Sequence, residues 1–584
     1  MLTKLSQKGT NMEEYGPQTE FGQRIFADKY ALSGETFRDM CNRVAGALSF
    51  GSDEFHNFRD ILLRQRFLPG GRIQAALGTG KYVCAHNCFV SGRIEDSYTD
   101  GPASIMGRAH QAATTMRMGG GIGYDFSTLR PRGALIKKLQ SNATGPVSFM
   151  HIFDAVGLAT CSSGHRRGAQ MGILRVDHPD IEEFVHAKNN SHKLTGFNIS
   201  VAVTDEFMQA VENNTDFDLR FEGEIYKTVS ARELWDKIMR SAWDWAEPGV
   251  VFIDRMNEMN NLRYCETLYA TNPCSEQPLP EFGACLLGSF NLPKYVKQAP
   301  NKRGLGFDMP LFIRDIKYVV RAMDVVNDVA RYPLPEQQHE ALQKRRMGIG
   351  VTGLANAIEA FGHPYGSPDF LEMMHSIFST LANSCYSASS DLAAEKGSFP
   401  AFSRDEYLSS KYLDCLSPSI IDLIAEQGIR NSHLISMAPT GTISLVADGV
   451  SSGIEPVFQK EYTIGVRDDY GDYEQIPVVD YGWRVFETEP RLTREVTVDE
   501  HIAVLSKAQH FTDSAVSKTC NVYDDCSWED FKAIYMRAWR LGAKGCSVFN
   551  NNGKRMGVLQ EKPSMTQEEY DQVRAACPTG SCEV

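Results

Sequence analysis

The sequence predicts an α/β fold, a barrel or sheet built mainly from parallel strands, and three observations carry that expectation. Short apolar runs bounded by polar or small residues read as strands: Cys88–Val90, Met171–Val176, Phe197–Val203, Ala284–Leu292, His433–Ala438 and Lys544–Phe549. Segments of helical periodicity, 101–117, 310–331, 367–395 and 527–541, lie between them. Strands separated by helices favour parallel pairing, because a parallel neighbour needs a long crossover connection.

Taken in order, residues 20–66 hold two or three short amphipathic helices, with the Ser33–Thr36 cluster suited to a helix start. Phe67-Leu68-Pro69-Gly70-Gly71-Arg72 breaks that pattern, so an N-terminal helical segment, 1–66, gives way to a main domain, 67–555. The run Gly119-Gly120-Gly121-Ile122-Gly123 lacks the acidic partner of a dinucleotide fingerprint, which leaves close packing or turn geometry as its reading. Thr204 or Asp205 caps the helix that follows the Phe197 strand. Residues 217–228 fit a hairpin, and Ser230-Ala231-Arg232-Glu233 opens a helix through a capping box. From about 556 the chain mixes charge, Gly and Pro and reads as a flexible C-terminal tail, 556–584.

The bulk numbers exclude some classes. A formal charge of −13 argues against a nucleic-acid polymer or an acidic membrane as partner, but not against small nucleotides, which need only a local cluster of donors. The N-terminus lacks the apolar core of a signal peptide, and no apolar run approaches the ~20 residues of a membrane span. A cytoplasmic location is expected. The 14 cysteines show no paired CxxC spacing, so neither a zinc ribbon nor a disulfide framework is predicted, and no metal site is assigned. Several of them, such as Cys161, Cys385 and Cys415, read as core filler.

A few residues carry chemistry. Asn272-Pro273-Cys274-Ser275-Glu276 sets an amide, a thiol and a carboxylate at alternate positions. Pro273 and Pro278 keep their preceding residues out of the helical region, so the stretch is loop or extended chain. Flat, it would spread Asn272 and Glu276 roughly 13 Å apart at about 3.4 Å per residue. The loop must curl for all three to meet one small molecule; a surface turn that happens to carry a cysteine is the bland alternative. Cys88 and Cys285 occupy strand-like positions, where they are either inert core residues or, if brought together, a dithiol able to deliver two electrons. Cys577 and Cys582 sit in the tail with no core to bury them, as a swinging dithiol or half of a metal site. Pro439-Thr440-Gly441-Thr442 offers hydroxyls and small-residue backbone amides that can cradle phosphate, or it is simply a loop. Arg166-Arg167, between glycines, reaches a phosphate or is a solvated loop.

Together these segments resemble the adenosylcobalamin-dependent (class II) ribonucleotide reductases. The likeness is carried by Phe67–Arg72, Asn87-Cys88-Phe89-Val90, Gly145-Pro146-Val147-Ser148-Phe149-Met150, Arg166–Gly172, Asn272–Glu276, Ala438–Thr442 and Ser452-Gly453-Ile454-Glu455-Pro456. It implies a ten-stranded α/β barrel with a central finger loop that bears Asn272, Cys274 and Glu276. By the resemblance Cys274 becomes a thiyl radical, Glu276 acts as general base and Asn272 holds the substrate. Cys88 and Cys285 supply two electrons, and Cys577 and Cys582 return them from a thioredoxin- or glutaredoxin-type reductant. Asn87, Pro439, Thr440, Gly441 and Thr442 face a ribonucleotide, whether diphosphate or triphosphate. Asp96, Arg130, Arg166 and Arg167 match the general positions of a site for dNTP or ATP effectors near a dimer interface. Monomer and homodimer both remain open.

The main rival is a class I catalytic subunit activated by a separate radical-generating subunit. Such subunits relay the radical through adjacent late tyrosines, and this chain has no Tyr-Tyr pair; after Phe549 its one tyrosine is Tyr570. The 66-residue N-terminal segment is short for an added ATP-binding activity domain. A non-catalytic nucleotide-binding paralogue is disfavoured by the presence of all five cysteines with Asn272 and Glu276.

Overall fold

The computed structural model describes residues 15–160, 168–189, 193–298, 304–467, 473–523, 526–551 and 553–554. Ten strands form one mixed sheet: β1 (Phe67–Pro69), β2 (Cys88–Val90), β3 (Gly121–Asp125), β4 (Gln170–Arg175), β5 (Phe197–Val203), β6 (Gly249–Phe252), β7 (Ala284–Asn291), β8 (Met347–Thr352), β9 (Thr519–Val522) and β10 (Gly545–Asn550). The order is β1-β7-β2-β3-β4-β5-β6-β10-β9, with β8 also paired to β7. Strands β2 to β6 form one parallel block. β8 is parallel to β7, and β9 to β10. Antiparallel seams join β7 to β2 and β10 to β6.

The α/β class and its parallel bias are as expected from the sequence, whereas a continuous ladder closing the sheet into a barrel is not present among the described residues. Single parallel bridges run instead from Ile349 to Ile435 and from Met437 to Val516. His433–Ala438, expected as a strand, contributes only these bridges before Pro439, which has no N–H to extend a ladder. β8 escapes the sequence pattern for a physical reason. In Met347-Gly348-Ile349-Gly350-Val351-Thr352 glycines interrupt the apolar run, yet all six residues are buried.

β7 is likewise buried along its whole length, as parallel-type strands covered on both faces should be. The outer face packs beneath helices, the longest being Met309–Val329 and Pro368–Lys396. The N-terminal segment folds as three helices, Glu20–Lys29, Phe37–Ala47 and Ser52–Leu63, whose Phe21, Val44 and Phe58 join that same core. The second is capped by a reciprocal Thr36–Asp39 box, while Glu35 pairs with Arg43. The hairpin lies at Asp216–Phe221 and Glu224–Ser230. Thr204 and Ser230 are the N-caps of the two helices expected there. Among the described residues no helix is long and apolar enough to cross a membrane.

The inner face carries a second apolar cluster: Cys88, Met171, Ala202, Val251 and Cys285 from the strands, joined by Ala270 and Leu279. The last two belong to a finger loop that enters the interior between β6 and β7. Room for it comes from glycine. A Cβ on Gly123 would lie 1.8 Å from the Thr271 carbonyl oxygen, and one on Gly121 would lie 3.1 Å from Pro273. On the opposite wall a Cβ on Gly348 would meet the Gln277 amide at 2.5 Å.

These clearances predict that Gly123→Ala destabilises the protein by about 3 kcal/mol or more, since neither backbone can yield. Gly46→Ala, in a helix and with open space at its Cβ, should instead stabilise by about 0.5–1 kcal/mol. Thermal or denaturant unfolding of the two variants beside the parent checks both signs.

Candidate active site

The finger loop is a narrow antiparallel ribbon in which Ala270 pairs with Leu279 and Thr271 with Pro278. Its tip curls. The Asn272 N–H donates to the Gln277 carbonyl at 3.1 Å, and the Gln277 N–H returns to Asn272 Oδ1 at 2.9 Å. Ser275 adopts a positive φ of 65° to complete the turn. Two side chains from outside the loop hold the tip. Asn198 Nδ2 on β5 donates to the Pro273 carbonyl at 3.0 Å, and Ser436 Oγ donates to the Glu276 carbonyl at 2.9 Å. The Ala515 N–H also donates to the Glu276 carbonyl, at 3.0 Å.

Around this tip the structure gathers the residues singled out by sequence. Cys88 and Cys285 are direct cross-strand neighbours on the β2/β7 seam, both buried and both free thiols. Cross-strand neighbours have Cα atoms about 4.5–5.5 Å apart, within the span a disulfide bridges. Asn272 Nδ2 donates to the Cys88 sulfur at 3.1 Å, and the Cys88 thiol lies 3.7 Å from Glu276 Oε1. Cys274 at the apex is half-buried. Asn87, Cys88, Asn272, Cys274, Glu276, Pro439, Thr440, Gly441 and Thr442 all line one cavity of about 180 Å³. Its remaining wall combines glycine backbone, from Gly70-Gly71, Gly119-Gly120-Gly121 and Gly168, with larger residues such as Tyr30, Arg72 and Met116.

Burial governs the acid–base chemistry. Desolvation raises the Glu276 carboxyl to about 7, outweighing hydrogen bonds from Asn272, its own backbone N–H and Cys88 that act the other way. Its second oxygen, Oε2, is buried with no hydrogen-bond partner among the described residues. Burial also pushes the Cys88 thiol far up, aided by Glu276 and the neighbouring thiols, and does the same to Cys285. At neutral pH this pocket therefore holds two protonated thiols beside a carboxyl balanced between its two forms. Asn87 Oδ1 is a further buried acceptor with no partner among the described residues.

Other sequence candidates fall elsewhere. Asp96 and Arg130 form an ion pair at 2.5 Å, and neither lines the cavity. Arg166, Arg167, Cys577 and Cys582 lie outside the described residues. The Thr440 hydroxyl is engaged within the protein, accepting from the Gly453 N–H at 2.7 Å. Sequence reasoning missed Asn198 and Ser436, which carry no local signal of their role. The clearances at Gly121 and Gly123 were visible as a glycine run awaiting a packing partner.

Fold and site together define an α/β enzyme whose reactive groups ride on a loop threaded through the inside of its sheet. Residues 86–549 match the model of the ribonucleotide reductase barrel domain, and the chain belongs to the ribonucleotide reductase family. It is 33% identical to a vitamin B12-dependent ribonucleoside-diphosphate reductase of Mycobacterium tuberculosis, over 96% of this chain and 82% of that protein. It is 31% identical to the protein of the same name from Thermoplasma acidophilum, over 94% of this chain and 74% of that one. A vitamin B12-dependent ribonucleotide reductase of Streptomyces clavuligerus is 26% identical, over 96% and 67%.

The raised Glu276 carboxyl has a stability consequence with a definite sign. It binds its proton more tightly folded, at about 7, than at the ordinary value of 4.5. Its contribution is therefore fully present below 4.5 and lost as pH rises through 7, a difference of about 3 kcal/mol. Glu276→Gln, which cannot ionise, should melt higher than the parent at pH 8, and the gap should close towards pH 4.5. Calorimetric melting across that range is the measurement.

Proposed function

We propose that this chain reduces ribonucleotides to 2′-deoxyribonucleotides by thiyl-radical chemistry, with adenosylcobalamin as its cofactor. The observation that carries this reading is the convergence of Asn272, Cys274, Glu276 and Cys88 on one cavity, with Cys285 directly across the strand seam from Cys88. The mycobacterial and Thermoplasma relatives are named diphosphate reductases, and a ribonucleoside diphosphate is the substrate class this reading takes. The single bridges beyond β8 are read as the closing side of the ten-stranded barrel of the family. Residues 1–66, 67–555 and 556–584 are read as helical segment, barrel domain and redox tail.

In this mechanism Cys274, as a thiyl radical, takes the 3′ hydrogen atom of the ribose and later returns it. Glu276 in its ionised form accepts the 3′-hydroxyl proton, a role suited to a base poised near neutrality. Cys88 and Cys285 keep their protons because they are buried, so one can protonate the departing 2′-hydroxyl as water. The pair gives up two electrons and two protons and ends as a disulfide. The bond fits the seam without backbone movement. Asn272 orients substrate while its amide also steadies the Cys88 sulfur. Asn87 Oδ1 and the 439–442 backbone face the nucleotide. Cys577 and Cys582 then exchange with the internal disulfide and are reset by a thioredoxin- or glutaredoxin-type protein. Asp96 and Arg130, with Arg166 and Arg167, are assigned to a dNTP or ATP effector.

The residues beside Cys274 suit a radical-generating cofactor. Cys274 is half-buried where the other two cysteines are fully buried, and the cavity it lines continues along the glycines at 119–121, beside Tyr30, Arg72 and Met116. When bound, adenosylcobalamin supplies the one-electron chemistry that turns a thiol into a thiyl radical.

Reductase assays with and without added adenosylcobalamin test the reading; full turnover without it, given a partner subunit, would overturn the cofactor assignment. Cys274→Ser should keep nucleotide binding and lose turnover by about 10³-fold or more, as expected for a residue that performs the chemistry itself. The doubly substituted Cys577→Ser, Cys582→Ser protein should turn over with a small dithiol yet stall with thioredoxin. Equal rates with both reductants would remove the tail from the mechanism.

A further inference from the structure

Thr440 stands in the left-handed region, at φ 55° and ψ 17°. Short polar residues visit that region with some frequency, but a β-branched side chain there crowds its own backbone. Among the described residues Thr440 is the only β-branched residue with a positive φ. Such a conformation persists only where its surroundings over-determine it, and it gathers at functional sites.

The surroundings here are a closed set of hydroxyl contacts. Thr440 Oγ1 and Thr352 Oγ1 lie 2.8 Å apart. Thr352, the last residue of β8 and fully buried, donates to the Ser451 carbonyl at 3.2 Å. The Gly453 N–H donates to Thr440 Oγ1 at 2.7 Å and also reaches Thr352 Oγ1 at 3.2 Å, so both hydroxyls are held by the same turn. Gly453 is itself held tightly: its φ is +53°, and a Cβ there would meet the Ala438 carbonyl at 2.8 Å. Ser451, two residues before it, donates its N–H to Asn356 Oδ1 at 2.6 Å, and the Asn356 amide is fastened to Asp480. The strained residue is thus tied to β8 and to the 451–453 turn. Immediately after it, Gly441 and Thr442 line the catalytic cavity.

We propose that the Thr352–Thr440 hydroxyl pair is a latch that fixes the 439–442 backbone in the orientation that receives the nucleotide's phosphates. Thr352 is then a positioning residue, acting on substrate only through Thr440. The proposal deepens the function given above and rests on it. It also accounts for Ser451-Ser452-Gly453, since this turn supplies the carbonyl acceptor and the N–H donor that engage the hydroxyl pair.

The test uses full-length protein loaded with adenosylcobalamin, and CDP as probe, in turnover and in calorimetric binding. Thr352→Val keeps shape and removes the hydroxyl. KM and the dissociation constant for CDP should rise about tenfold, the effect of misplacing one or two phosphate hydrogen bonds, with kcat within about twofold of the parent. Thr352→Ser restores the hydroxyl and should restore KM. Thr440→Gly adopts the left-handed turn without strain, so it should fold as stably as the parent while still raising KM. Folded Thr352→Val or Thr440→Gly protein with parental KM would overturn the latch, as would a loss confined to kcat. If Thr352→Val does not fold, Thr440→Gly decides alone. Parent protein that neither binds nor reduces CDP would overturn the functional reading itself, and is told apart because parent and variants then fail alike.

Discussion

The structure depends on fitting a loop into the inside of a sheet that has no spare room. The finger loop runs so close to β3 that no side chain is tolerated at Gly123, and close to β8 at Gly348. Interiors pack at near-crystalline density, so such a loop cannot drift. Its tip is then held from outside, through Asn198 and Ser436, both of which grip backbone carbonyls. Backbone contacts fix where the Pro273–Glu276 chain lies and leave the Cys274 and Glu276 side chains to face the cavity. Rigid placement of this kind suits the thiyl-radical role proposed for Cys274, since a radical that wandered would abstract hydrogen from its neighbours.

The same threading sets the chemistry of the groups it carries. A carboxyl buried among apolar strands loses water, and the hydrogen bonds offered to Glu276 recover only part of that loss. One of its oxygens is left without a partner, a cost the fold bears at this place. Low polarity acts in the opposite functional sense on the thiols: it keeps Cys88 and Cys285 protonated. One desolvated compartment thus yields a base near neutrality and two hydrogen-bearing sulfurs, with burial the largest influence on all three.

Much of this was legible in the sequence because it was local. The Asn272–Glu276 spacing, the prolines fencing it and the strand character around Cys88 and Cys285 each show within a few residues, and the expected curl of the loop is what the chain adopts. What escaped was long-range. β8 hid behind alternating glycines whose purpose, clearance for Gln277 and the Ser436 backbone, exists only after folding. Ser436 and Thr352 look like ordinary strand residues until their hydroxyls meet partners 160 and 88 positions away. The Thr440 hydroxyl suggests a phosphate donor in the sequence, but in the fold it turns inward to hold the turn.

The position of the reactive loop follows from topology. The first block of parallel strands ends with β6 at one edge, and the next strand in sequence, β7, pairs with β2 at the other. The connection must therefore cross the inner face of five strands, roughly 19 Å at about 4.8 Å per strand. The finger loop is that crossing. Its contacts lie on that face: Thr271 against Gly123 on β3, then Pro273 against Gly121 on β3 and Asn198 on β5, before the chain enters β7 beside Cys88. Because β7 runs antiparallel to β2, the strand that receives the loop also brings Cys285 opposite Cys88. A chain connecting β6 to β7 outside the sheet could keep every cysteine and still leave Cys274 far from the dithiol. The route through the interior is what brings Cys274 and Glu276 to one cavity with Cys88, and Cys88 to Cys285.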